Sequence, residues 1–458
     1  MAFISLMRDG HRMTRRTVYE FDALTAERPG DAAIAGLHYV PEQVFAWLKG
    51  EALRFAELGG ATWLRLAQAH GRPAVRVNSF VGVIRTPCGF QIEVLPKVAK
   101  ARAGGDDEAR KLLIKMLRCL REFEHIQTAS AQLAATSMPL LEVFIAEFLR
   151  AVERIVKRGL QSDYRQEQQN RFALRGKLQM ASHLRQNLCR RDRFFTEADE
   201  YSPNRPENRL LHAALRRVLA WTNSQANQQL ARELGFVFAE VPVSADPGVD
   251  FGRVRHDRCM AHYEAALAWA RLILRDESPL TGEGHHSAPS LLFPMEKVFE
   301  AFVARHLAGQ LKPAFHLRAQ EQNQYLVRHL EQKWFGLKPD LLVRESKKNR
   351  LVLDTKWKLV YSSQANSYEK YGLAQSDFYQ LYAYGQNYLE GQGCVVLIYP
   401  RTDALDQALP KFEFIRSSGL CLWVLPFCLW ENRLLLPPCG SLDEFFYHSN
   451  ARALAGRE

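Results

Sequence analysis

Lys338-Pro339-Asp340-Leu341-Leu342-Val343, followed by Leu351-Val352-Leu353-Asp354-Thr355-Lys356, is the stretch of this 458-residue chain on which its fold is read. Both runs are apolar, and Arg344-Glu345-Ser346-Lys347-Lys348-Asn349 between them is polar enough for a solvated turn, so they read as an antiparallel hairpin. Side chains alternate along a strand, which puts Val352, Asp354 and Lys356 on one face and Leu351, Leu353, Thr355 and Trp357 on the other. Pairing across the turn then brings Asp340 near Asp354. Hard carboxylate oxygens suit Mg²⁺, which keeps coordination sites open for water and phosphate. A neighbouring lysine can orient the attacking water or offset charge on the phosphate oxygens. The short pattern also fits an exposed turn with a surface ion pair. The metal reading gains weight because Asp354 and Lys356 close an apolar strand and the flanking helices carry matching residues.

Upstream, residues 290–307 show helical periodicity, with Met295, Val298, Phe299 and Phe302 as the apolar stripe and Glu300 at its edge. Glu300 is the candidate third carboxylate and Glu296, one turn earlier, its rival; either also fits an ordinary solvated helix position. Downstream, residues 377–388 read as a helix that aligns Gln380 and Tyr384 at i, i+4, where they could bond DNA phosphate or the catalytic groups. Phe378, Tyr382 and Tyr388 on the same helix suit a core. Residues 394–400 form an apolar strand, so the expected order is helix, strand, strand, helix, strand.

The set Glu300, Pro339-Asp340, Asp354-x-Lys356 and Gln380-x-x-x-Tyr384 resembles the PD-(D/E)xK nuclease superfamily, and its Gln-x-x-x-Tyr element resembles the RecB-like branch. Met295-Glu-Lys-Val-Phe-Glu300 and Phe335-Gly-Leu-Lys-Pro-Asp340 are similar to the McrC family, the nuclease subunits of McrBC-type modification-dependent restriction systems. Further similar segments are Gly82-Val-Ile-Arg-Thr-Pro-Cys-Gly89, Ile92-Glu-Val-Leu-Pro96-Lys97, Lys157-Arg-Gly-Leu160, Leu174-Arg-Gly-Lys-Leu178, and Asp199-Glu-Tyr-Ser-Pro-Asn204 with Asn208-Arg-Leu. The resemblance implies an α+β amino-terminal portion followed by an α/β PD-(D/E)xK restriction-endonuclease-like domain. It implies a Mg²⁺-dependent DNA endonuclease, with Mn²⁺ as a substitute, whose metal is held by Asp340, Asp354, Glu300 and Thr355. Lys356 would orient water or stabilise charge, with Gln380 and Tyr384 in support. It also implies a separate McrB-like AAA+ GTPase oligomer whose hydrolysis this chain stimulates. Arg175 and Lys177 are candidates for that contact, or else residues of a structural turn. Two other functions stay open: a self-sufficient RecB-like repair nuclease, and an adaptor that activates the GTPase with a silent nuclease.

Composition agrees with a nucleic-acid partner. The net charge is +11 and the pI about 9.2, and each Lys or Arg that meets a phosphate releases condensed counterions. Arg185, Arg190, Arg191 and Arg193 cluster, as a solvated helix end or a DNA contact. The chain has no Gly-rich phosphate loop followed by Lys-Ser/Thr, so no nucleotide is expected on it. The 8 cysteines form no Cys-x-x-Cys, which argues against an iron-sulfur cluster and for buried free thiols in a reducing cytoplasm. No apolar run is long enough for a membrane span. Residues 1–275 are expected to form an α+β partner-docking region, β-rich to about 100 and largely helical from about 105. A linker at 276–290, with His285-His286 inside it, would lead to a nuclease domain at 291–458.

Overall fold

The two apolar runs form neighbouring strands because each can bury both of its faces. A computed structural model gives the fold, and it describes residues 15–28, 34–58, 62–100, 105–120, 138–255, 258–274, 290–415, 417, 419–438, 440 and 442–447. Leu341–Glu345 pairs antiparallel with Lys348–Thr355, whose other edge takes Gly393–Pro400 in parallel. Leu420–Cys428 follows in parallel, and Phe315–Ala319 lies antiparallel beside Leu341–Glu345. Phe412–Glu413 and Arg433–Leu434 complete a seven-stranded sheet.

Central strands of this kind need cover on both sides. On one face the Gln375–Tyr388 helix, the crossover between two parallel strands, packs Leu381, Tyr384 and Tyr388 with Leu342, Val352, Val395 and Leu397. On the other lies the Met295–Ala308 helix, with the Phe302 ring 6.0 Å from Phe427 and the Phe299 ring 5.2 Å from Trp357.

Three local expectations are corrected. The polar stretch is mostly strand: pairing continues through Glu345↔Lys348, leaving only Ser346-Lys347 as the turn, with Ser346 at φ 53°. Its charges serve as outward-facing pairs, for example Arg350 Nε to Glu345 Oε2 at 2.8 Å. The helix starts at Met295, not Ser290. Ser290–Pro294 is a strand, since the residue before a proline is held extended and Pro294 has ψ 124°. The expected element order also lacked Phe315–Ala319, a short half-exposed strand at the sheet edge, and the ribbon Gln324–His329/Gln332–Leu337, which is exposed and carries no apolar alternation.

The described residues pack as two units, one drawn from 1–82, 90–124 and 292–458 and the other from 83–89 and 125–291. In the first unit, Arg15–Tyr19 pairs in parallel with Gln91–Leu95. Ala23–Thr25, Leu37–Tyr39, Leu64–Ala69 and Arg72–Val77 form a separate four-stranded sheet beside the Glu42–Leu58 helix. The described residues of 15–82 and 90–100 thus group with the carboxy-terminal sheet, a grouping different from the linear division at 276–290. Of that stretch only Ser290 lies among the described residues, and His285-His286 fall outside them.

The physical reason is a buried polar clamp. Glu20, 3 % exposed, accepts from Trp357 Nε1 at 2.9 and 3.0 Å and from the Lys97 amide at 3.0 Å. Lys97 Nζ donates to the Trp357 carbonyl at 3.3 Å and sits 4.4 Å from the centre of the Phe21 ring. Burial pushes the Glu20 carboxyl up to about 7, against the pull of Lys97. Lys115, from the Gly105–Leu117 helix, adds a second tie by donating to the carbonyls of Leu429 and Trp430 at 2.9 and 3.0 Å.

The second unit is a bundle of the Leu140–Arg158, Pro206–Trp221, Gln225–Val237 and Glu264–Leu274 helices with a three-stranded sheet. Buried polar side chains lock it: Glu142 accepts from Thr222 Oγ1 at 2.6 Å and Asn227 Nδ2 at 2.8 Å, and Tyr263 donates to Asn208 at 2.9 Å. Lys177 lies in the strand ladder opposite Glu197, while Arg175 is exposed with its guanidinium 3.8 Å from Glu200. Arg185, Arg190 and Arg191 are exposed at and beyond the end of the Met180–Asn187 helix. Cys88 and Cys189 are exposed, so the thiols are not uniformly buried. No helix among the described residues is long and apolar enough to cross a membrane.

Phe302→Ala should destabilise the protein by about 3–5 kcal/mol in urea unfolding, the usual cost of emptying a buried aromatic site; a loss below about 1 kcal/mol would contradict the two-sided packing. The native state holds a proton on Glu20 between its ordinary value of 4.5 and about 7. The resulting stability is full below the lower value and lost as pH rises through the upper one. Glu20→Gln cannot titrate, so its melting temperature should fall less than the parent's between about pH 5 and 8; parallel curves would refute the shift.

Candidate active site

Asp340 directly precedes the Leu341–Glu345 strand and Asp354 is the penultimate residue of its partner, and the register Leu341↔Leu353 sets them at the same level. Asp340 Oδ2 accepts from both the amide and the Oγ1 of Thr355, each at 2.7 Å, so the opposing strand fixes this carboxylate. Asp354 is 1 % exposed and on the face of the Gln375–Tyr388 helix. Lys356 Nζ lies 2.7 Å from Asp354 Oδ2 and donates to Gln380 Oε1 at 3.1 Å. Gln380 Nε2 donates to the Tyr384 hydroxyl at 2.8 Å, and that hydroxyl donates to the Lys338 carbonyl at 2.9 Å. The connection therefore runs from Asp354 through Lys356, Gln380 and Tyr384 back to the backbone two residues before Asp340.

Glu300 comes from the other side of the sheet. Its Oε1 accepts from Gln320 Nε2 at 2.7 Å, and the Gln320 amide donates to the Asp340 carbonyl at 2.9 Å. Burial and then the Asp340 charge raise the Glu300 carboxyl above its ordinary value. Glu296 is exposed, one turn away.

The charges are mutually dependent. Burial and then Asp340 push Asp354 up to about 7, with Lys356 opposing. Burial alone would lower Lys356, but the Asp354 charge holds it above its ordinary value. Lys356 is therefore a persistent cation, suited to donating toward developing negative charge and unsuited to taking a proton. Burial also raises the Tyr384 hydroxyl, which keeps it a donor.

Three participants escaped the sequence reading. Asp377 is buried, with its carboxylate 3.9 Å from Lys356 Nζ and 3.2 Å from Lys358 Nζ. Its i, i+3, i+7 spacing with Gln380 and Tyr384 was the available signal, as was the two-residue step from Lys356 to Lys358. Gln320 gave none: it lies in a loop, at φ 52°. A non-glycine residue in that region costs of order 1 kcal/mol and is held by its two hydrogen bonds.

The donor chemistry fits a hard divalent cation. Asp340, Asp354 and Glu300 supply carboxylate oxygens, and buried Asp354 Oδ2 is held by the charge of Lys356 with no directed hydrogen bond. Among the described residues, no three Asp, Glu, His or Cys side chains stand arranged around a common metal position. Asp340 is turned to Thr355, Glu300 to Gln320 and Asp354 to Lys356.

Comparison with curated proteins finds no match. Among solved structures, a chain from the refined half-complex of a tetradecameric assembly of Thermococcus gammatolerans McrB AAA+ hexamers with bound McrC is similar in fold. Its TM-score is 0.62 at 21% identity, covering 92% of this chain and 97% of that one. A chain from the cryo-EM structure of the Thermococcus gammatolerans McrBC complex aligns with a TM-score of 0.45 at 22% identity, over 64% of this chain and 87% of that one. The family model described as McrBC 5-methylcytosine restriction system component matches residues 75–400, a span that holds the Glu300, Asp340, Asp354, Lys356, Gln380 and Tyr384 set, and the chain belongs to that family.

Proposed function

We propose that this chain is the nuclease subunit of a McrBC-like restriction system: a Mg²⁺-dependent DNA endonuclease, tolerant of Mn²⁺, with a PD-(D/E)xK restriction-endonuclease-like domain at 291–458. It would cut foreign modified DNA in the cytoplasm under a McrB-like AAA+ GTPase, whose hydrolysis it stimulates through its amino-terminal portion. The observation that carries this reading is the connected set Asp340, Thr355, Asp354, Lys356, Gln380 and Tyr384, assembled from two strands and a helix. The partner assignment is supported by family membership. It is further supported by fold similarity to a chain from the assembly of McrB hexamers with bound McrC.

Asp340, Asp354 and Glu300 would hold the cation, with Thr355 fixing the Asp340 carboxylate. Bound Mg²⁺ supplies polarisation of the phosphate and a more acidic water. Lys356 donates to a phosphate oxygen as water adds to phosphorus and the bond to the leaving sugar oxygen breaks. Gln380 keeps Lys356 aimed, because its carbonyl oxygen accepts from Nζ while its amide is anchored on Tyr384. Asp377 adds a second negative charge that favours the protonated lysine.

The test is cleavage of modified plasmid DNA by the chain with its cognate GTPase, GTP and Mg²⁺. Asp354→Ala should abolish cleavage and leave GTPase stimulation at the parent level. Lys356→Ala should slow it by about 10²–10³-fold, as for loss of one preorganised donor. Gln380→Ala should cost about 10–100-fold, as for loss of a supporting contact. Cleavage that survives Asp354→Ala would remove the proposed site, and absence of GTPase stimulation by the parent chain would remove the proposed partner role.

A further inference from the structure

Among the described residues, Gln324–His329 and Gln332–Leu337 form strand ladders only with each other. An isolated two-stranded ribbon is marginal in water, and this one leaves Leu326, Leu330, Trp334 and Phe335 exposed by 51, 84, 44 and 68%. Its base is held: the Tyr388 hydroxyl lies 2.7 Å from the Leu337 carbonyl and 3.1 Å from the Glu321 carbonyl. The second strand then runs within three residues into Asp340, through Lys338, whose carbonyl Tyr384 holds. The ribbon is thus anchored at the candidate active site, and no third strand among the described residues pairs with it.

Its charge pattern indicates what covers it. Arg328 and Lys333 face each other directly in the ladder, a like-charge placement that costs stability in the free protein. Neither has an ion-pair partner among the described residues. From 324 to 338 the cations Arg328, Lys333 and Lys338 outnumber the one carboxylate, Glu331. Lys333 Nζ lies 5.6 Å from the Tyr325 ring centre and the His329 ring 4.9 Å from Trp334, so cations and aromatic surfaces are interleaved. A polyanion with apolar sugar and base surfaces relieves both the exposed aromatics and the opposed cations; an apolar protein surface would relieve only the first.

We propose that the 324–337 ribbon is a DNA-gripping arm. Arg328 and Lys333 take backbone phosphates, and Leu330, Trp334 and Phe335 lie against sugar and base surface beside the strand to be cut. β-Ribbons enter duplex grooves in this way. This assignment rests on the nuclease reading above, but its test is binding and does not require cutting.

The full chain carrying Asp354→Asn is titrated with a fluorescently labelled DNA duplex, by anisotropy over a series of salt concentrations. Adding Arg328→Ala with Lys333→Ala should weaken binding by about tenfold or more. It should also flatten the slope of log affinity against log salt by about 1.8, two phosphates at about 0.9 each. Adding Trp334→Ala with Phe335→Ala should weaken binding by a similar factor with the slope unchanged. Thermal melts should show neither variant less stable than the parent, since the residues are exposed and the opposed cations repel each other. Parent-like affinity in both variants would overturn the proposal, as would failure of the parent chain to bind the duplex. Loss of self-association in gel filtration, with DNA affinity intact, would overturn it in favour of a protein–protein face. Failure of the nuclease reading itself would show separately, as cleavage that persists in Asp354→Ala.

Discussion

Asp354 stands at the end of a strand covered on both faces, where a carboxylate has almost no water and one cation for company. Removing a charge from water costs several kcal/mol unless the protein supplies compensating charge and hydrogen bonds. Much of the surrounding architecture follows from that demand. Lys356 must lie on the same face, which the two-residue step along the strand secures. The crossover helix must present polar groups at that point of an otherwise aromatic surface, and Gln380, Tyr384 and Asp377 are those groups. Asp340, on the opposing strand, raises the stress further and is itself pinned by Thr355.

The amino-terminal region enters this arrangement through Trp357, the residue after Lys356. Its indole donates to Glu20 and its ring packs on Phe299, the neighbour of Glu300. The clamp therefore touches the residue that follows the candidate catalytic lysine and the residue that precedes a candidate ligand. A buried glutamate raised to about 7 is a costly anchor. That cost falls on the join between the amino-terminal segment and the carboxy-terminal sheet within one unit. The second unit meets the same requirement differently, with Glu142 and Asn208 fully hydrogen-bonded inside helices.

Much of the candidate site was legible because its residues are local in sequence or lie at fixed helical and strand periods. Asp354 and Lys356 share a face by alternation; Gln380 and Tyr384 share one by the helical repeat. The polar run 344–349 misled because charged side chains in a ladder look the same in sequence as charged side chains in a turn. Pro294 marks the start of the helix at Met295, because the residue before a proline is held extended. Gln320 and the 324–337 ribbon were silent: a loop glutamine has no period, and an exposed ribbon has no buried face to impose one.

By itself the sequence determined the hairpin, the helices beside it, the face on which each charged side chain lies, and the basic excess of the chain, because these depend on neighbours within a few residues. Only the tertiary structure decided that Glu20 and Lys97 meet Trp357 beside the carboxy-terminal sheet. The same holds for the return of Tyr384 to Lys338, the pairing of Glu300 with Gln320, and the approach of Asp377 to Lys356. Those outcomes depend on burial and on charges brought together from distant parts of the chain, and the free energy of a buried charge is set by what surrounds it in space.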